Sequence, residues 1–209
     1  MLTPSDLGCL DHFLENEVYE NSWDSLFSIL TDPTLHDIVI DVGLPLLHQN
    51  CRYNARAIIL NGKILCLRPK LYLANDGNFR EMRFFTPWNR PRHVEQYSLP
   101  PFIQKHQGCR HVPIGDVILS TLDTCFAAET CEELFTPNSP HIVMYVTPFH
   151  SVPLYIWDLS YLPGMSQGTQ WSRDLHEQQR KSSLTPKARP AHCLDPGGNP
   201  KERRSLFVL

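Results

Sequence analysis

The sequence predicts a layered domain that mixes helix and strand, of the α/β or α+β kind. Three observations carry that reading. The stretch "SWDSLFSIL" sets Trp23, Leu26, Phe27 and Leu30 at i, i+3, i+4 and i+7, the stripe of an amphipathic helix, with Asn21 or Ser22 as its expected opening. The run "RYNARAIILNGKILCLRPK" reads as two strands joined at Asn61-Gly62, the dipeptide that type I′ hairpin turns prefer. "HDIVIDVG" is a short apolar run suited to a central strand, and "VPIGDVILSTLDT" is another apolar stretch. Apolar character resumes at Phe126 in "DTCFAAET", a further strand candidate.

Composition bounds what such a domain can do. The chain has 209 residues, 42% hydrophobic and 20% charged, enough for one sizeable domain or a domain with a tail. Its net charge of -3 provides no field to draw nucleic acid or an anionic membrane. No apolar run approaches the roughly 20 residues of a membrane span. The start, "MLTPSDLGCLDHF", has neither a basic nor an apolar leader region, so a cytoplasmic protein is expected.

Seven cysteines, odd in number and without a C-x-x-C pair, argue for reduced thiols rather than a disulfide framework or a zinc ribbon. His106, Cys109 and His111 in "KHQGCRH" match no usual zinc spacing and read as a surface loop, so no metal is expected.

Near residue 145 the character of the chain changes. "VMYVTPFHSVPLYIWDLSYL" is apolar but carries two prolines and no clean period. From Pro163 to Arg204 the chain is rich in Pro, Gly, Ser, Gln and scattered charge, too poor in aliphatic residues to offset its ordering entropy. Residues 1–145 are therefore expected to form the domain and 146–209 a largely disordered tail.

Two places could hold chemistry. Cys131 follows the strand candidate "DTCFAAET" and precedes "EELF", which would begin a short helix. A thiol on a strand-to-helix turn is exposed and feels the positive end of a helix dipole, with Glu132 and Glu133 stabilising the first turn. A buried, inert cysteine explains the same residues. In "LRPKLYLANDGNFREMRFFTPW", basic Arg68, Lys70, Arg80 and Arg83 interleave with aromatics, but the acids among them weaken any single-strand nucleic-acid reading. A solvated loop is one account. A loop presenting Lys70 from the end of an apolar strand to a binding site is the other.

Taken in order, "GCLDHFLE", "DVGLPLLHQNCRYNARAIILNGKILCLRPKLYLANDGNFREMRFFTPW" and "DTCFAAETCEELFTPNSPHI" closely resemble the amino-terminal, nitrilase-like glutaminase domain of eukaryotic glutamine-dependent NAD synthetases. The resemblance runs from about Gly8 to Ile142. It implies a partial α-β-β-α sandwich of the carbon-nitrogen hydrolase type, with a Glu, Lys and Cys triad.

On that resemblance Cys131 is the nucleophile and Lys70 the stabiliser of thiolate and oxyanion, while Glu81 matches an auxiliary acid that helps orient the site. Phe79 stands where many relatives have Tyr. The implied chemistry is attack on the side-chain amide of glutamine, a thioester, and release of ammonia to an ATP-dependent step that converts deamido-NAD to NAD. ATP and magnesium belong to that step in full-length relatives, and no cofactor is expected in this chain, which has no S-G-G-x-D-S phosphate loop.

The resemblance has gaps. The family's general-base glutamate would fall on Met1, and Glu15, Glu17 and Glu20 lie downstream of the motif. A truncated coding sequence or shifted reading frame is the expected explanation, leaving a weakly active or inactive fragment with open sheet edges. Homo-oligomerisation is implied by the family. Two other readings stand beside it: a stand-alone nitrilase or amidase on another small amide, and a non-catalytic module that binds intact synthetase subunits.

Overall fold

The computed structural model describes residues 9–77, 79–120, 125–142, 153–158 and 205–208. They form a mixed α/β architecture in two compact units, residues 1–117 with 208–209 and residues 118–207.

In the first unit, helix α1 (Asn16–Thr31) lies against a five-stranded sheet. The helix begins earlier than Asn21 or Ser22. Glu17 stands in its first turn, where an acid complements the exposed N–H groups, and Tyr19 extends the apolar stripe one turn back. Tyr19, Trp23, Leu26 and Leu30 are buried on one face. The sheet contains β1 (Val39–His48), β2 (Cys51–Leu60), β3 (Lys63–Pro69), β6 (Val94–Ser98) and β7 (His111–Gly115), in the order β1-β2-β3-β7-β6. Among the described residues β1 pairs only with β2, at the edge of the sheet and not its centre, and its first half, Val39–Gly43, is only half-buried. A run of apolar residues alone does not tell an edge from a centre.

The β2-β3 turn is the predicted hairpin. Asn61 and Gly62 take φ of 50° and 68°, as a type I′ turn requires. Gly62 also lies close to the helix, since a Cβ there would meet the Leu30 carbonyl oxygen at 2.6 Å.

Strand alternation then separates two chemistries. Leu44, Leu46, Ala55, Ala57, Ile59, Ile64 and Leu67 join Trp23, Leu26 and Leu30 in one core. The intervening positions of β2 and β3 carry Asn54, Arg56 and Arg68, and they are buried too. Arg56 Nε donates to both Asp41 oxygens at 2.8 and 2.9 Å, and Arg68 Nη2 lies 4.0 Å from Asp116 Oδ1, at ion-pair distance and without a direct hydrogen bond between the two atoms. Burial without such pairing would cost several kcal/mol per charge, on the order of the effective penalty for an ion in a protein interior.

"KHQGCRH" is not a surface loop. Helix α2 (Pro101–Gln107) carries His106 in its last turn, Gly108 ends it at φ 74°, and His111 begins β7. Pro at the start and Gly just past the end mark this helix in the sequence. Among the described residues no group of three or more His, Cys, Asp or Glu could hold a metal ion. Among the same residues, no helix is long and apolar enough to cross a membrane.

The second unit holds a four-stranded sheet of β8 (Val117–Ser120), β9 (Cys125–Thr130), β10 (Pro153–Asp158) and β11 (Ser205–Val208), in the order β10-β9-β8-β11. β9 is antiparallel to β8 and parallel to β10. Two segments of the expected disordered tail, 153–158 and 205–208, are thus strands, and the rest of it lies outside the described residues.

Two outcomes test this account of the first unit. Gly62→Ala should destabilise the chain by at least about 1 kcal/mol, because the added methyl meets backbone at positive φ; denaturant unfolding measures it. The second concerns His48, whose Nε2 lies 2.9 Å from Glu95 Oε2. Burial, reinforced by the Arg90 guanidinium, holds this imidazole below its usual range, since Glu95 is already paired with Arg90. As pH falls through the ordinary histidine range the unfolded chain takes up the proton first, so stability falls. The loss in unfolding midpoint from about pH 7.5 to about pH 5.5 should therefore be smaller in His48→Gln.

Candidate active site

The residues singled out in the sequence fall into two clusters, one in each unit. In the first unit, β3 ends at Pro69 and delivers Lys70 with only 3% of its surface exposed. The backbone on both sides is clamped. Lys70 N–H donates to Asn54 O on β2 at 2.8 Å, and Trp88 N–H donates to Lys70 O at 2.9 Å.

A buried ammonium needs an anion, and Glu81 provides it, with Nζ to Oε2 at 2.6 Å. Glu81 is itself held from three sides: Asn54 Nδ2 donates to Oε1 at 2.8 Å, Ala74 N–H donates to Oε2 at 2.7 Å, and Glu81 N–H donates back to Ala74 O at 3.0 Å. The carboxylate fixes the lysine. An ammonium has three N–H donors, so one bond to Glu81 leaves it able to face a second anion.

The loop between them is built for this. A two-rung hairpin, β4 (Asn75–Asp76) with β5 (Phe79–Arg80), reverses the chain and brings Glu81 back to Ala74. Arg80 donates to the Gly77 and Asn75 carbonyls, and Arg83 pairs with Asp11 at 2.7 Å. The basic residues of this stretch therefore serve local structure, and Phe79 stays exposed beside them.

In the second unit, β9 runs into a single 3-10 turn, Cys131–Leu134, where "EELF" reads as beginning a short helix. Four residues build little macrodipole, so local bonds shape the turn. Thr130 and Glu133 form a capping box, in which Thr130 N–H donates to Glu133 Oε2 at 2.8 Å and the Thr130 side chain accepts from the Glu133 N–H. This accounts for an acid near the cysteine, because Glu133 is wholly buried and committed to the backbone.

Cys131 is a reduced, half-buried thiol at φ 49°, a left-handed conformation that costs a non-glycine residue on the order of 1–3 kcal/mol. Sharp strained turns from a strand into a helix expose the nucleophile in α/β-hydrolases. Behind it, Glu129 is 1% exposed and is met by His141, through N–H at 3.2 Å and ring Nδ1 at 3.0 and 3.1 Å.

The family model described as carbon-nitrogen hydrolase matches residues 5–147. The chain belongs to the carbon-nitrogen hydrolase family. Within that family it is 58% identical over 137 residues to the glutamine-dependent NAD(+) synthetase of Saccharomyces cerevisiae, a match that covers 66% of this chain and 19% of that protein. The human glutamine-dependent NAD(+) synthetase is 52% identical over 137 residues, with the same shares. A crystal structure of a glutamine-dependent NAD(+) synthetase from Cytophaga hutchinsonii aligns with a TM-score of 0.52 at 30% identity, covering 60% of this chain and 20% of that one. This carbon-nitrogen hydrolase chain thus spans about a fifth of the length of the relatives it matches.

Lys70, Glu81 and Cys131 were all marked in the sequence, whereas Asn54, Glu129 and His141 were not. Their signal was available: Asn54 lies between Tyr53 and Ala55 in "RYNARAIIL", and Glu129 follows the apolar Phe126, Ala127 and Ala128 in "CFAAET", so both are polar residues within strands that the sequence predicts. Of the glutamates left aside, Glu15, Glu17 and Glu20 are exposed at the start of α1.

Because Lys70 and Glu81 share one buried contact, their effects on stability should not add. Lys70→Met alone, which leaves the carboxylate without its cation, should cost about 3 kcal/mol. Lys70→Met with Glu81→Gln should cost at least about 1 kcal/mol less than the two single changes summed, as a double-mutant cycle by urea unfolding will read.

Proposed function

We propose that this chain carries the glutamine-hydrolysing part of a glutamine-dependent NAD synthetase. The observation that carries the reading is Cys131, held at positive φ on a strand-to-turn elbow, in a stretch shared with synthetases at up to 58% identity. A buried ammonium oriented by a fixed carboxylate at Lys70 supports it.

In the proposed reaction the Cys131 thiolate adds to the side-chain amide carbon of glutamine. The carbonyl π electrons move to oxygen, and the role of stabilising the charge that develops there falls to Lys70 by resemblance to the family. Collapse breaks the C–N bond, the nitrogen leaves as ammonia after taking a proton, and a γ-glutamyl thioester remains on Cys131. Water then cleaves the thioester to glutamate and regenerates the thiol. Glu81 acts on Lys70, not on substrate.

The ammonia would serve an ATP- and magnesium-dependent amidation of deamido-NAD, a step outside the residues assigned roles here, and no cofactor is assigned to this chain. Cytoplasmic placement and self-association fit the same reading. Met1 stands where the family's general base would fall, and loss of a general base lowers rates by about 10²- to 10⁴-fold.

Ammonia release from glutamine should therefore be slower than in an intact synthetase by at least about 10²-fold, and Cys131→Ala should abolish it. Acid quenching followed by peptide mass spectrometry should find glutamyl groups on Cys131 and on no other cysteine. Turnover that survives Cys131→Ala would overturn the assignment. Preference for another small amide would favour the stand-alone amidase reading instead.

A further inference from the structure

The elbow that presents Cys131 is held from two directions, and only one of them is local. On the local side, the capping box ties Thr130 to Glu133. On the other side, the side chain of Glu129 turns into the protein with 1% of its surface exposed, two residues before the thiol. A carboxylate in such a place is stable only when donors surround it. His141 meets it twice, with its backbone N–H at 3.2 Å from Oε1 and its ring Nδ1 at 3.1 and 3.0 Å from Oε1 and Oε2.

A carboxylate only accepts, so the ring nitrogen facing it carries the proton. The segment between the two residues is braced from within. Ser139 Oγ–H contacts Leu134 O at 3.1 Å and Thr136 O at 2.7 Å, and Thr136 Oγ1–H reaches Glu133 O at 3.2 Å. The contact between Glu129 and His141 thus closes a loop that has the cysteine near its start.

A left-handed φ at a residue with a Cβ persists only where the surroundings over-determine it. We infer that His141 is a positioning residue for the Cys131 nucleophile, acting through Glu129 to hold the strained elbow. The inference rests on the reading of Cys131 as nucleophile. It assigns His141 no contact with substrate and no proton transfer in the reaction.

The test compares two nearly isosteric replacements. Asn places an N–H where the imidazole Nδ1 stands, and Gln places one where Nε2 stands. The folded chain is treated with iodoacetamide, and peptide mass spectrometry reads the alkylation rate of Cys131 relative to Cys109, an exposed thiol in the other unit that serves as internal reference. His141→Gln should lower the Cys131 to Cys109 ratio by about tenfold, less than the roughly 10²-fold that a misplacement of about 1 Å can cost a reacting group. His141→Asn should keep the ratio within about twofold of the parent. Glu129→Gln should lower it as His141→Gln does, and combining the two should add little.

A side chain that merely filled space would be replaced by Gln as well as by Asn, so equal ratios in the two variants overturn the inference, as does an unchanged ratio in Glu129→Gln. Glutamyl transfer to Cys131 in the parent protein is measured alongside. If that adduct forms and the ratios stay flat, the positioning role fails and the nucleophile stands. If the ratios change as expected and no adduct forms, the nucleophile reading fails and the hold on the elbow stands.

Discussion

Lys70 is an ammonium with almost no access to water, and much of the first unit follows from keeping it charged there. The cation requires an anion at contact distance, which Glu81 supplies. Glu81 in turn requires donors for its second oxygen and for its free lone pairs, which Asn54 and the Ala74 N–H supply. Those partners dictate the path of the chain: the loop after β3 must double back through a short hairpin, and β2 must carry an asparagine where its neighbours are apolar. The opposite face of the same strands has no such demand and packs plain aliphatic residues against α1. A sheet can hold both because successive side chains leave it in opposite directions.

Cys131 shows the complementary situation. Its backbone is in a costly conformation, and the groups that keep it there are again carboxylates taken out of solvent, one closing a capping box and the other meeting His141. Acids next to a thiol look unfavourable to its thiolate when counted as charges in a sequence. In three dimensions Glu129 and Glu133 have their charges engaged by specific donors, His141 for the first and the Thr130 N–H for the second.

The helix stripe at Trp23, Leu26 and Leu30 and the Asn61-Gly62 hairpin were legible because both are governed by neighbours a few residues away. So were Lys70, Glu81 and Cys131, through resemblance to a family whose motifs they preserve. The start of α1 and the edge position of β1 were not. One depends on a weak exposed first turn, and the other on which strands lie alongside, information absent from a local window. Helix α2, bracketed by Pro101 and Gly108, spans seven residues, too few for a helical period to stand out from the surface loop that the sequence predicts. Asn54, Glu129 and His141 matter through partners 27 or 12 residues away, and no periodicity reports a partner at that range.

The loop closed by Glu129 and His141 is contiguous in the chain, and the bonds described around the thiol lie within it. Such a piece behaves as a cassette. Recombination between related genes that exchanged it whole would carry its internal geometry along, while a crossover inside it would separate the carboxylate from its donor and leave a buried charge behind.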